Sequence, residues 1–329
     1  MRFEEATHQM FARHETFHLR HGWLRKAFFG VRDSDHGPGV FNSEDATVVL
    51  GVGKNMVRSI RFWALATKIL EENPNQANSR ILDAVSTRFG EELFGWWDPF
   101  LEDPASHWLL HWKMFSPKCH LPVWWALLTE FNALEFTEDD AVEFVARRVE
   151  LSSFDSPNVS SIKKDVNIFL RSYAPAGERQ ARAGIDDSFD CQLRELGLIR
   201  RGTTPKTYRT NVGPKSSLPP AIVAYACLEH AGRGAVTQTS SVARFTADNG
   251  GPGQIFKLPE SAMHEALRAA AVLNPEITVG ITNGAPQLIW KGDAMAAAEQ
   301  ILNRYYETPV DVIDRLKLKR NVELVGSPS

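Results

Sequence analysis

Few features of this chain point toward export or a membrane. Its 329 residues include three cysteines, Cys119, Cys191 and Cys227. They are odd in number and widely spaced, so neither a disulfide framework nor a cysteine metal motif is spelled out. No apolar run approaches the ~18 residues that a membrane-spanning helix needs, and Met1–Met10 is polar, unlike a secretory leader. A cytoplasmic location without membrane attachment is therefore expected. Excess positive charge is missing too: 37 Lys and Arg stand against 40 Asp and Glu, for a net charge of −3. That balance excludes a protein that coats nucleic acid through its overall field, and any such contact must come from a local patch. A nucleotide loop is also absent. Gly51-Val52-Gly53-Lys54-Asn55 lacks the G-x-x-x-x-G-K-[ST] spacing, and Asn55 stands where the magnesium-binding hydroxyl belongs. No organic cofactor is expected, and no exact internal repeat is present.

What the chain does have is aromatic residues and cations on helical spacing. All of its nine tryptophans except Trp290 fall in the first 125 residues, which predicts an aromatic N-terminal core. The fold class expected is mainly α with small β-hairpin wings (α+β), built as tandem helix-turn-helix or winged-helix-like units. The length suits two or three domains: a Trp-rich one over 1–135, a middle one over 136–215 and a C-terminal one over 216–329. In the first, Ser43 would cap a short helix over Glu44–Leu50, and the Gly51/Gly53 turn would lead into a second helix from Lys54. On that helix Lys54, Arg58, Arg61 and Lys68 fall within a band of about 80°, while Val57, Ile60, Ala64 and Thr67 point elsewhere. Such a cationic stripe suits a row of phosphates, with Lys54 and Asn55 at the helix start able to hold one of them. Ile81–Phe94 reads as a short helix with a hairpin near Phe89-Gly90, and Pro104 opens the next helix. Further on, Thr137 with Asp140 forms a capping box for Glu138–Glu150, followed by a helix over Val159–Tyr173. Arg194–Arg209 reads as a basic wing carrying Arg200, Arg201, Lys206 and Arg209. Helices at 219–231 and 259–272 and a hairpin over Ile277–Trp290 complete the chain, with a Gly-rich, mobile loop expected over Ala247–Gly253.

Several constellations could carry chemistry. His14-Glu15-Thr16-Phe17-His18 is a literal H-E-x-x-H, which on a helix would place His14 and His18 on one face as zinc ligands with Glu15 as base. Against a zinc hydrolase, only thirteen residues precede it and no third ligand follows at a recognisable spacing. Asp98, Glu102 and Asp103, followed by His107 and His111, form the densest acidic cluster beside histidines. Carboxylates suit Mg²⁺ or Mn²⁺ over a scissile phosphate, and either histidine could act as general base. The same residues equally read as helix caps and a hydrogen-bonded core histidine. Glu260, His264 and Glu265 beside Lys257 are a second acidic group. Arg20, His21, Trp23, Arg25, Lys26, Phe28 and Phe29 interleave cations and rings, as single-strand binding surfaces do.

Certain runs resemble a known family. His14-Glu15-Thr16-Phe17, Gly22-Trp23-Leu24-Arg25-Lys26, Leu50-Gly51-Val52-Gly53-Lys54-Asn55-Met56-Val57, Asp98-Pro99-Phe100-Leu101-Glu102-Asp103-Pro104 and Phe256-Lys257-Leu258-Pro259-Glu260 are similar to the SspB family of bacterial DNA phosphorothioation systems. The resemblance spans nearly the whole chain. It implies a DNA-nicking subunit that works with a cysteine desulfurase, a sulfur-transfer protein and an ATPase. It carries no catalytic residue with it, so Asp98, Glu102, Asp103, His107 and His111 rest on metal chemistry alone. The alternative from another class is a non-catalytic DNA-binding adaptor.

Overall fold

A computed structural model describes residues 1–76, 82–174, 191–234 and 237–307. They divide into two compact units, Met1–Asn211 and Val212 onward. Helices with small antiparallel sheets make up both, so the α+β expectation holds.

In the first unit, short helix α1 (Phe3–Ala6) precedes α2 (Trp23–Asp33), α3 (Ala46–Val49) and α4 (Lys54–Ala66). The expected first helix of the helix-turn-helix is thus a single turn. Ser43 does not cap it; its hydroxyl donates back to the Val40 carbonyl. Thr47, Val48 and Val49 are all β-branched and exposed, and they offer a longer helix neither propensity nor a buried face. Around this turn Ala46, Leu50 and Val57 form a small apolar cluster with Phe41 and Val52. A hairpin follows, β1 (Leu70–Glu72) with β2 (Ala84–Ser86). The hairpin expected at Phe89-Gly90 is instead helix α5 (Arg88–Glu92), capped by Thr87; Ile81, where that expected segment begins, lies outside the described residues. Gly90 has a physical reason: a Cβ there would collide with the Ile69 backbone. A π-helical turn over Leu93–Trp97 leads to α6 (Pro104–Met114) and α7 (Pro122–Thr129).

Trp63 of α4, Trp124 of α7 and the later Phe169 and Tyr173 form a buried aromatic chain, with successive ring centroids 5.1–5.5 Å apart. This is the core that the tryptophan content predicted. Then come β3 (Glu135–Thr137), α8 (Glu138–Glu150, with the Thr137/Asp140 capping box), α9 (Val159–Tyr173), β4 (Ile199–Arg201) and β5 (Thr207–Thr210). The sheet order is β3-β5-β4.

The second unit repeats that sheet order with a different set of helices. Helix α10 (Pro220–Gly232) precedes β6 (Thr239–Ser241), α11 (Val242–Ala247), α12 (Pro252–Phe256), α13 (Glu260–Leu273), β7 (Ile277–Thr282), β8 (Ala285–Trp290) and α14 (Ala294–Glu307), with sheet order β6-β8-β7. The Gly-rich stretch between α11 and α12 is a tight turn, not an open loop. A Cβ on Gly251 would sit 2.8 Å from the carbonyl oxygens of Phe245 and Asp248, so only glycine fits. Among the described residues no helix is long and apolar enough to cross a membrane.

Candidate functional site

The H-E-x-x-H segment is not a helix. Glu15 and Thr16 have φ of +50° and +63°, a left-handed turn that separates the two histidines. His14 is fully buried, with Nε2 2.8 Å from Asp165 Oδ1 of α9 and Nδ1 accepting from the Thr16 amide. Its ring therefore donates to the aspartate and pins this segment to the core. The zinc reading is corrected accordingly: a helical periodicity cannot be assumed where the backbone turns left-handed.

The acidic run Asp98–Asp103 folds into a loop organised by Asp98. This carboxylate, only 8% exposed, accepts from the amides of Glu102 (3.0 Å) and Asp103 (2.9 Å) and from the Ser106 hydroxyl (2.6 Å). Asp103 in turn caps α6, accepting from the Ala105 amide at 2.9 Å. Both carboxylates are committed to local geometry in this conformation. His111, with no exposed surface, shares a hydrogen bond between Nδ1 and the Tyr173 hydroxyl (2.8 Å) within the aromatic core. Among the described residues no group of three or more His, Cys, Asp or Glu side chains gathers as a metal site.

What the loop does build is a cleft of about 630 Å³ lined by His21, Arg25, Phe100, Glu102, His107, Gln192 and Glu195. His107 Nε2 lies 2.9 Å from the Leu101 carbonyl, so that nitrogen carries the proton and donates. Nδ1 is thereby left as the basic nitrogen, 3.7 Å from Glu195 Oε2. Arg25 stands over the rings of Phe29 (4.6 Å) and Phe100 (5.0 Å) and remains exposed. Gln192 is 6% exposed, and among the described residues neither polar atom of its amide has a hydrogen-bond partner. Glu195 and Gln192 sit on a 3₁₀ turn, Gln192–Leu196, ninety or more positions from Glu102, and no local motif marks them. Only the general signal that acids, amides and cations converge in clefts could have flagged them.

The cationic residues differ in how far the fold already engages them. Lys54 and Asn55 are exposed at the start of α4, and Arg58, 59% exposed, sits 3.9 Å from Glu15. Arg61 is committed to Glu72 (3.1 Å) and the Leu82 carbonyl (2.8 Å). Lys26 donates to the Leu50 carbonyl at 3.0 Å, Lys68 to the Lys118 carbonyl at 2.7 Å, and Arg20 stacks on Phe17 and Trp23. On the β4–β5 hairpin Arg200 lies directly opposite Arg209, and Arg201 covers Tyr208 at 4.9 Å, while Lys206 is exposed at the turn. Glu260 and Glu265 are exposed and His264 half-buried on α13, and burial beside Lys215 pushes neighbouring Lys257 down to about 8.

The family described as "Protein of unknown function (DUF4007)" matches residues 11–306. Two solved structures, described as "SspB crystal structure" and "Magnesium ion-bound SspB crystal structure", are each 31% identical to the chain with a TM-score of 0.86. Each alignment covers 98% of this chain and 99% or 98% of the relative's. No curated protein sequence shows significant similarity.

Proposed function

This chain belongs to the SspB family, and on that premise we propose that it is a DNA-binding nickase of a phosphorothioation system. Its cut in one strand would open the backbone to exchange of a phosphate oxygen for sulfur. The observation carrying this reading is the cleft in which Glu102, His107 and Glu195 meet Arg25 and His21.

A magnesium ion, the metal of the second relative, finds some of these donors engaged and others available. Asp98 and Asp103 are already taken by amides and a hydroxyl. Glu102 and Glu195 fit, because magnesium in phosphoryl-transfer sites takes one or two carboxylates and completes its shell with water and substrate phosphate. When bound there it would neutralise charge on the scissile phosphate. His107, oriented through the Leu101 carbonyl, is the group to take a proton, and Arg25 is the group to hold the phosphate.

The exposed face of α4 (Lys54, Asn55, Arg58) and the basic hairpin are the DNA contacts of this reading. Arg200 directly opposite Arg209 is a like-charge pair that costs stability unless an anion bridges it. We read both segments, β3 to β5 and β6 to β8, in which a strand and its helices lead into a hairpin, as winged-helix-like. A sulfur-carrying role is disfavoured, since all three cysteines are buried and burial pushes Cys119 up to about 12 and Cys191 up to about 11, far from a reactive thiolate. Sulfur chemistry is therefore left to partners: the desulfurase, the transfer protein and the ATPase that the family resemblance implies.

The test is nicking of supercoiled plasmid with and without Mg²⁺ or Mn²⁺, with DNA affinity measured in parallel. Wild type should give metal-dependent open circles. Glu102→Gln/Glu195→Gln should bind DNA and not nick. If the double variant nicks normally, the site is elsewhere. If wild type binds DNA yet never nicks, even with the partner proteins added, the chain is an adaptor.

A further inference from the structure

Away from the cleft, cationic and imidazole groups gather near the C-terminal end of α4. The backbone brings two distant segments together there: the His8 amide donates to the Cys119 carbonyl and the Cys119 amide to the Ala6 carbonyl, both at 2.8 Å. The side chains that follow, His8 and His120, consequently stack with ring centroids 4.8 Å apart and an interplanar angle of 31°. Lys68, which follows α4 in a left-handed conformation (φ +62°), brings Nζ to 3.5 Å from His120 Nδ1 and 2.7 Å from the Lys118 carbonyl.

The cluster is short of negative charge. Among the described residues, the carboxylate acting on His8 is Glu72, and it is already paired with Arg61 at 3.1 Å. Burial together with the field of Lys68, His8 and Arg61 pushes His120 down to about 3; burial, Lys68 and Lys118 lower His8; burial and Lys113 lower Lys68. Lys68 and Lys118 bring positive charge beside two imidazoles kept neutral, each with one N–H to give, and an anion placed among these donors is stabilised.

We propose that His8, His120, Lys68 and Lys118 form an oxyanion pocket that takes one backbone phosphate of DNA, at the opposite end of α4 from Lys54. The inference rests on the DNA-binding reading above. Lys54 and Lys68 are fourteen residues apart, about 20 Å along a helix axis, or roughly six base-pair rises. The two ends of α4 therefore hold separate phosphates, and the pocket fixes the register between them.

The experiment uses full-length protein labelled at histidine, its ring signals followed by NMR. Inorganic phosphate should shift the His8 and His120 signals where chloride at equal ionic strength does not, and a short duplex should move the same signals. In parallel, Lys68→Gln should lower the slope of log affinity against log salt by about one unit. His8→Gln/His120→Gln, which leaves the α4 face intact, should weaken duplex binding several-fold. Shifts with phosphate but not with DNA overturn the assignment to a DNA backbone. No shift with either, while Lys54→Ala still weakens DNA binding, overturns the pocket and leaves the DNA-binding reading standing. Loss of all DNA binding by wild type would refute that reading and this inference together.

Discussion

Replacing Asp98 separates two roles that are indistinguishable in sequence, metal ligand and loop anchor. Its carboxylate is 8% exposed and accepts three hydrogen bonds, from Glu102 N, Asp103 N and Ser106 Oγ. Asp98→Ala strands all three donors in a part-buried loop. At about 1–1.5 kcal/mol net for each, the loss comes to about 3–4.5 kcal/mol. For a unit of this size each kcal/mol lowers the melting temperature by about 2–4 °C, so a fall of about 6–18 °C is expected. Asp98→Asn keeps one acceptor oxygen and turns an amide group toward a donor, so roughly half that fall is expected. The assay is thermal unfolding of the metal-free protein followed by near-ultraviolet circular dichroism, checked by urea titration. A metal ligand with no structural duty gives the opposite outcome, because removing one carboxylate from an acidic cluster leaves metal-free stability unchanged or raised. A melting temperature for Asp98→Ala within about 2 °C of wild type would refute the anchoring argument.

Other consequences can be checked directly. Lys54→Ala and Arg58→Ala should each weaken duplex binding and flatten its salt dependence by about one unit of slope for each phosphate left unneutralised; an unchanged slope would mean that this face of α4 does not meet DNA. Cys119, Cys191 and Cys227, all buried with thiols pushed up by burial, should not react with an aromatic disulfide reagent in native protein and should react fully in denaturant. Fast native labelling of any of them would reopen a sulfur-carrying role. His120 titrates at about 3 in the folded chain, below the ordinary histidine range. Its neutral form thus supports the fold fully above the unfolded value near pH ~6.5, and that support is lost as pH falls toward 3. His120→Gln should therefore lose less stability than wild type between pH 7 and 4.5, measured by urea midpoints; parallel losses would show that His120 does not resist protonation.

Local signals in the sequence carry far. Thr137 with Asp140 marks the start of α8, Pro104 opens α6, and the alternation over Ile277–Trp290 gives the β7–β8 hairpin, because caps, proline and strand periodicity act within a few residues. The tryptophans foretell an aromatic core for a related reason: rings of that size must be buried somewhere. The 31% identity with the SspB structures agrees with the family resemblance carried by runs such as Gly51–Val57 and Asp98–Pro104. Other features need tertiary information. H-E-x-x-H makes a ligand pair only if helical, and the left-handed Glu15 and Thr16, held by the His14–Asp165 contact, undo that. Three carboxylates within six positions are equivalent in sequence until hydrogen bonding separates them: Asp98 and Asp103 turn inward to amides, and Glu102 remains on the cleft.

By itself, then, the sequence determined where most helices and strands fall, that the N-terminal core is aromatic, and to which family the chain belongs. Only the tertiary structure decided which charges the fold engages and which it leaves on the surface. It brought Glu195 and Gln192 to His107 and Glu102, and His120 to His8, across about ninety and 112 positions of chain. Side-chain periodicity is a property of a helix or strand a few residues long, whereas the partner of a buried polar group is chosen by whatever the closed core places beside it, and no local pattern encodes that choice.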